Sequence, residues 1–104
     1  MKKEDALEAL LKCEKKLLSV TDDILDDGVD SEDREQNTRF CREFDKIDDV
    51  YCTLSKLEDI DGIKHNELES MWNKSWNNMT DTHLPEVRCN ALSEYIRLVK
   101  EKLS

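Results

Sequence analysis

Apolar positions recur with the period of an α-helix in four stretches of this chain, and polar residues fill the intervals. Between Asn37 and Ile60, Phe40, Phe44, Ile47, Tyr51 and Leu54 are spaced by four, three, four and three residues, with Val50 and Leu57 on one flank. At ~100° per residue these side chains share a face, and Arg42, Glu43, Asp45, Asp48, Asp49 and Lys56 point elsewhere. This helix carries both phenylalanines and one of the two tyrosines, so it is the expected central wall of a core.

Ahead of it, Ala6, Leu10, Cys13, Leu17, Val20 and Ile24 form one line, and Leu7, Leu11, Leu18 and Leu25 a second beside it. Two adjacent lines predict a helix over about 4–25 whose broad apolar face contacts two neighbours. The second helix is expected over about 32–59. Leu68, Met71, Trp72, Ser75 and Met79 predict a third over about 64–79, with Trp76 about 40° from Trp72 on the same face. Cys89, Leu92, Ile96, Val99 and Leu103, flanked by Ala91, Tyr95 and Leu98, predict a fourth over about 85–103. Pro85 suits its first position, where a missing N–H costs nothing.

The breaks agree with this division. Gly28 suits a left-handed helix end, and Asp30 or Ser31 can cap the helix that follows, with Glu32 and Asp33 in its first turn. Asp61-Gly62 is the strongest turn signal, and helical patterns on both sides make it a helix–helix corner. The expectation is one all-α domain over 1–104, arranged as a four-helix bundle or as a long helical hairpin followed by two shorter helices.

Composition narrows the chemistry. Charged residues make up 39% of the 104 positions, against roughly 25% in ordinary soluble domains. The net charge of −9 arises entirely in residues 1–63. An acidic chain lacks the basic face that releases phosphate counterions, so no direct nucleic-acid binding is expected. No apolar run approaches a membrane span, and the acids of the opening MKKEDALEALL interrupt any signal-peptide core. The chain is read as soluble and intracellular, cytoplasmic or nuclear. Cys13, Cys41, Cys52 and Cys89 contain no C-x-x-C pair. Cys13 and Cys89 fall on apolar lines, and all four are read as thiols in a reducing compartment.

Candidate chemistry is sparse. Setting Gly28 at the sixth position of a calcium loop places Arg34 where a bidentate glutamate must stand, which disqualifies it. His65 and His83 sit in or beside connections, away from any converging set of metal ligands. His83 and Cys89 make a weak nucleophilic pair, because nothing nearby depresses the thiol pKa. Glycine-rich phosphate loops and hydrolase motifs are missing from the sequence. Neither sequon, at Asn73 or Asn78, is expected to be used without a secretory signal. No catalytic residue, metal, cofactor or small-molecule ligand is expected, and the chain is read as a non-enzyme.

Binding to another protein, or self-association, is the expectation that remains. Trp76, with Asn73, Asn77 and Asn78 around it, is a candidate interface anchor, as are Trp72 and Phe40. The leading reading is a small helical subunit or adaptor of a larger complex. The alternative is an acidic inhibitor (an immunity protein, an antitoxin or a DNA mimic) that blocks a basic site through Asp26, Asp27, Asp30, Glu32 and Asp33. Salt separates the two, since a charge-driven inhibitor loses association rate steeply as ionic strength rises.

Overall fold

The computed structural model describes residues 1–20, 34–77 and 85–104, without the side chains of 34–41. Four α-helices make up the described fold: α1 (Lys3–Leu18), α2 (Arg34–Ser55), α3 (His65–Trp76) and α4 (Pro85–Leu103). No strand occurs among the described residues, so the all-α expectation holds.

The last helix, and not the second, is the shared wall: α4 packs on each of the other three. Its Leu92, Tyr95, Ile96 and Val99 are among the most deeply buried residues of the core. Polar contacts fix the directions. Lys46 Nζ donates to the Ser19 carbonyl at 3.4 Å, Lys16 reaches Asp49 at 2.6 Å, and Met1 lies beside Asp61 beyond the end of α2, so those two helices run antiparallel. Lys100 meets Glu14 at 3.2 Å, and Lys102 meets Glu67 at 3.5 Å, which ties the end of α4 to the end of α1 and the start of α3.

The first helix buries Ala6, Leu10, Cys13 and Leu17, as its first apolar line requires. Its second line does not find the expected neighbour. Leu7 is half-buried, Leu11 and Leu18 are 47% and 80% exposed, and Leu25 lies outside the described residues. The small side chains of Ala6 and Cys13 let α2 and α4 both settle over one line, which leaves the other outside. The helix also stops at Leu18, short of about Leu25. The Ser19 hydroxyl donates to the Lys16 carbonyl at 2.6 Å, and the Val20 amide tightens to a three-residue bond with Leu17. Such local competition weakens a helix interior.

The second helix is rotated from its expected setting. Ile47, Val50 and Leu54 are buried, with Glu43 on the same line at 7% exposure, whereas Phe44 is half-buried and Tyr51 is 36% exposed. Compact aliphatic side chains close the α1–α2–α4 junction, the Tyr51 ring is displaced towards α3, and Phe44 lies under the Arg88 guanidinium of α4. Glu43 is tolerated because Lys46 Nζ donates to both its oxygens, at 2.9 and 3.1 Å. This arrangement is asymmetric. Glu43→Leu leaves Lys46 free to reach water, so stability should change by less than about 1 kcal/mol, whereas Lys46→Ala strands a buried carboxylate and should cost about 1–3 kcal/mol. Urea denaturation of the two variants checks the order.

The second helix ends at Ser55, four residues before the expected Asp59. The connector instead buries Leu57, Ile60 and Ile63. Reaching all three requires a turn, made by Asp59 at φ 52° and Gly62 at φ 92°, both in the left-handed region. Asp61 N–H donates to the Met1 carbonyl at 2.9 Å, which pins the connector beside the start of α1. The third helix ends at Trp76 rather than about Met79, and Asn77 is extended. Pro85 opens α4, where its ring favours helix initiation.

Candidate functional site: an aromatic cleft between the second and third helices

Both α2 and α3 lie on α4, and the seam between them is bridged by rings instead of aliphatic packing. Tyr51 on α2 meets Trp72 at 5.4 Å between centroids and Trp76 at 6.0 Å, both edge-on. Trp72 stands edge-on to Tyr95 of α4 at 5.0 Å, and the two tryptophans are 5.7 Å apart. Offset and edge contacts of this kind add about 0.5–1.5 kcal/mol beyond area burial. Helical spacing supplies the geometry: Trp72 and Trp76 are one turn apart, so both reach the same side of α3.

Two hollows open along this seam, and Tyr51 and Trp72 line both. One, about 290 Å³, is floored by Leu54, Leu57, Leu68 and Tyr95 and rimmed by Ser55, Glu58, His65 and Glu69. The other, about 230 Å³, lies between Tyr51, Trp72, Trp76 and Arg88. There the Arg88 guanidinium sits 5.4 Å from the Phe44 centroid and 5.5 Å from that of Tyr51, and donates to Asp48 at 2.9 Å. A guanidinium over a ring face is held by the ring quadrupole, and the carboxylate orients it. Trp76 is half-buried, and its indole N–H is buried without a hydrogen-bond partner among the described residues.

A third hollow, about 370 Å³, separates α1 from α2. Lys12 and Lys16 offset Asp5, Glu8 and Asp49 around it, and the Cys13 thiol faces it. Burial pushes the Cys13 pKa up, while Lys16 holds the Asp49 carboxyl below its usual range. A thiol raised in this way is a poor nucleophile. Cys89 is also buried, its pKa pushed up to about 11, and Cys52 is exposed.

Burial of Cys89 and Tyr95 sets a pH dependence. Desolvation raises the Tyr95 phenol to about 12 and the Cys89 thiol to about 11, each about two units above its ordinary value. Both groups fold protonated, so the unfolded chain loses its protons first and stability falls as pH rises. Stability should be flat from neutral pH to about 9 and drop by several kcal/mol, on the order of 1.4 per unit and group, by pH 12. Thermal melts across pH 7–11 check this.

Of the residues singled out from sequence, the fold brings Trp72 and Trp76 together. The Phe40 side chain and Asp26, Asp27, Asp30, Glu32 and Asp33 lie outside the described residues, as does His83. His65 is exposed on the cleft rim. Sequence reasoning missed Tyr51 as a seam residue, because its spacing places it on the core stripe. It also passed over Arg88, whose only signal is a cation one turn into α4. Among the described residues no three histidine, cysteine or acidic side chains gather as a metal site, and no helix is long and apolar enough to cross a membrane. The chain matches no protein-family model, no curated protein and no solved structure.

Proposed function

We propose that this protein is a non-catalytic interaction subunit or adaptor, which works by docking another protein against its helices. The observation that carries this reading is the seam between α2 and α3. A chain with modest aromatic content places Tyr51, Trp72 and Trp76 side by side there, half-buried or exposed, over an apolar floor. Concave, partly exposed aromatic clusters with polar rims are the usual anchors of protein interfaces. Self-association through the same seam is included in the proposal. The acidic-inhibitor alternative rests on the net charge of −9 and on acidic residues, Asp26, Asp27, Asp30, Glu32 and Asp33, that lie outside the described residues.

The test is affinity capture from the native cell with the wild type and Tyr51→Ala, read by quantitative mass spectrometry and sedimentation. The reading expects a stoichiometric protein, or a second copy, that is reduced at least tenfold with Tyr51→Ala while the helical signal is unchanged. Recovery of the same proteins by both forms would count against it.

A further inference from the structure

The larger of the two seam hollows has a charge pattern of its own. Besides His65, the titratable groups on its rim are the carboxylates Glu58 and Glu69, and neither lysine nor arginine lines it. The α1–α2 hollow differs, since its two lysines answer its acids. Most carboxylates of the helical framework are also answered, as in Asp48 with Arg88, Glu14 with Lys100, Glu67 with Lys102 and Glu94 with Arg97. Glu58 and Glu69 have no such partner among the described residues.

They come from opposite sides of the cleft. On α3, His65, Glu69 and Trp72 are four and three residues apart and share a face. Opposite them, Tyr51 and Ser55 are one turn apart on α2 and Glu58 comes from the connector that follows, so each side of the cleft supplies one ring and one carboxylate. Rings with adjacent carboxylates are the chemistry that holds an organic cation: the ring faces attract it, and the acids neutralise it. The chain already uses that chemistry next door, where Arg88 lies over Tyr51 and Phe44 with Asp48 as its counter-charge. A volume of about 290 Å³ accommodates one long side chain, whose methylenes would cover Leu54 and Leu68.

We propose that this cleft is the docking site for a basic segment of a partner protein, with one arginine or lysine side chain laid over the Leu54 and Leu68 floor beside the Tyr51–Trp72 ring pair and held by Glu58 and Glu69. The proposal rests on the interaction reading above and adds the chemistry of the partner. Arginine is preferred, because its planar group stacks on rings and pairs with carboxylates in a fork. An acidic segment is excluded from the cleft by the same two carboxylates.

The test uses ¹⁵N-labelled full chain carrying Trp76→Phe, which leaves Trp72 as the single indole. Three capped pentapeptides are titrated: a central arginine flanked by leucines, the same peptide with citrulline, and the same with glutamate. The arginine peptide should shift the Trp72 indole N–H saturably and bind at least tenfold more tightly than the citrulline peptide. In a background that also carries Glu58→Gln and Glu69→Gln, its affinity should fall at least fivefold, with the melting temperature held within a few degrees. Equal binding of the arginine and citrulline peptides, preference for glutamate, an unchanged affinity in the glutamine background, or no shift with any peptide would each overturn the proposal. If capture from the cell still loses its partner with Tyr51→Ala, the interaction reading survives that failure, and only the basic specificity is lost.

Discussion

Tyr95→Ala should be the most destabilising truncation in this chain, at about 3–5 kcal/mol. The residue is 2% exposed, sits on the one helix that meets all others, and forms the floor on which Trp72 stands at 5.0 Å. Its removal opens a cavity that must be shared by α2, α3 and α4, none of which can close it without releasing another contact. In a domain of this size the loss should lower the melting temperature by roughly 15 °C or more. Tyr95→Phe keeps the ring and should stay within about 1 kcal/mol of the parent. Denaturant titration of both variants separates ring packing from the hydroxyl, and a Tyr95→Ala protein as stable as the parent would show that α4 is not the shared wall.

Ile47→Ala ranks next, at about 2–4 kcal/mol. Ile47 is fully buried on the line it shares with Val50 and Leu54, where α2 meets the rest of the core. Tyr51→Ala, one turn further along the same helix, should cost only about 1–2 kcal/mol, because that ring is 36% exposed and contributes edge contacts to Trp72 and Trp76. The ordering is informative because a reading from spacing alone makes the two residues equal. Chemical denaturation at equal protein concentration gives both values, and a larger loss for Tyr51→Ala would mean that α2 faces the core with its aromatic side.

Those two residues also show how much the sequence could convey. Period alone identifies the four helices, because each apolar line must be removed from water whatever it packs against. It does not say which of two adjacent lines is covered. In α2 the choice fell on Ile47 and Val50 over Tyr51, and in α1 on Ala6 and Cys13 over Leu11 and Leu18. Helix–helix approach decides between them, and approach depends on side-chain volume in the facing element, which no single helix encodes. Ends were less legible for a related reason. The second helix gives up the four residues 56–59 so that Leu57, Ile60 and Ile63 can reach the core, a tertiary gain that local propensity does not register.

The candidate site was legible in half. Asparagine neighbours drew notice to Trp76, and the shared face of α3 drew it to Trp72. Their partners come from other helices: Tyr51 across the seam, Tyr95 beneath it, and Arg88 from the first turn of α4. A cluster assembled from three elements leaves no spacing signature in any one of them. The rim carboxylates Glu58 and Glu69 were hidden for a different reason, since two of the chain's 25 acidic residues have no distinguishing mark until their surroundings are known.

Hydrogen–deuterium exchange on the free chain and on the complex recovered from the native cell addresses the central claim directly. Docking into the α2–α3 seam predicts slowed exchange in peptides covering 51–58 and 65–72 on complex formation, with α1 unchanged. Protection confined to α1, or exchange in 51–58 and 65–72 that is the same free and bound, would contradict it.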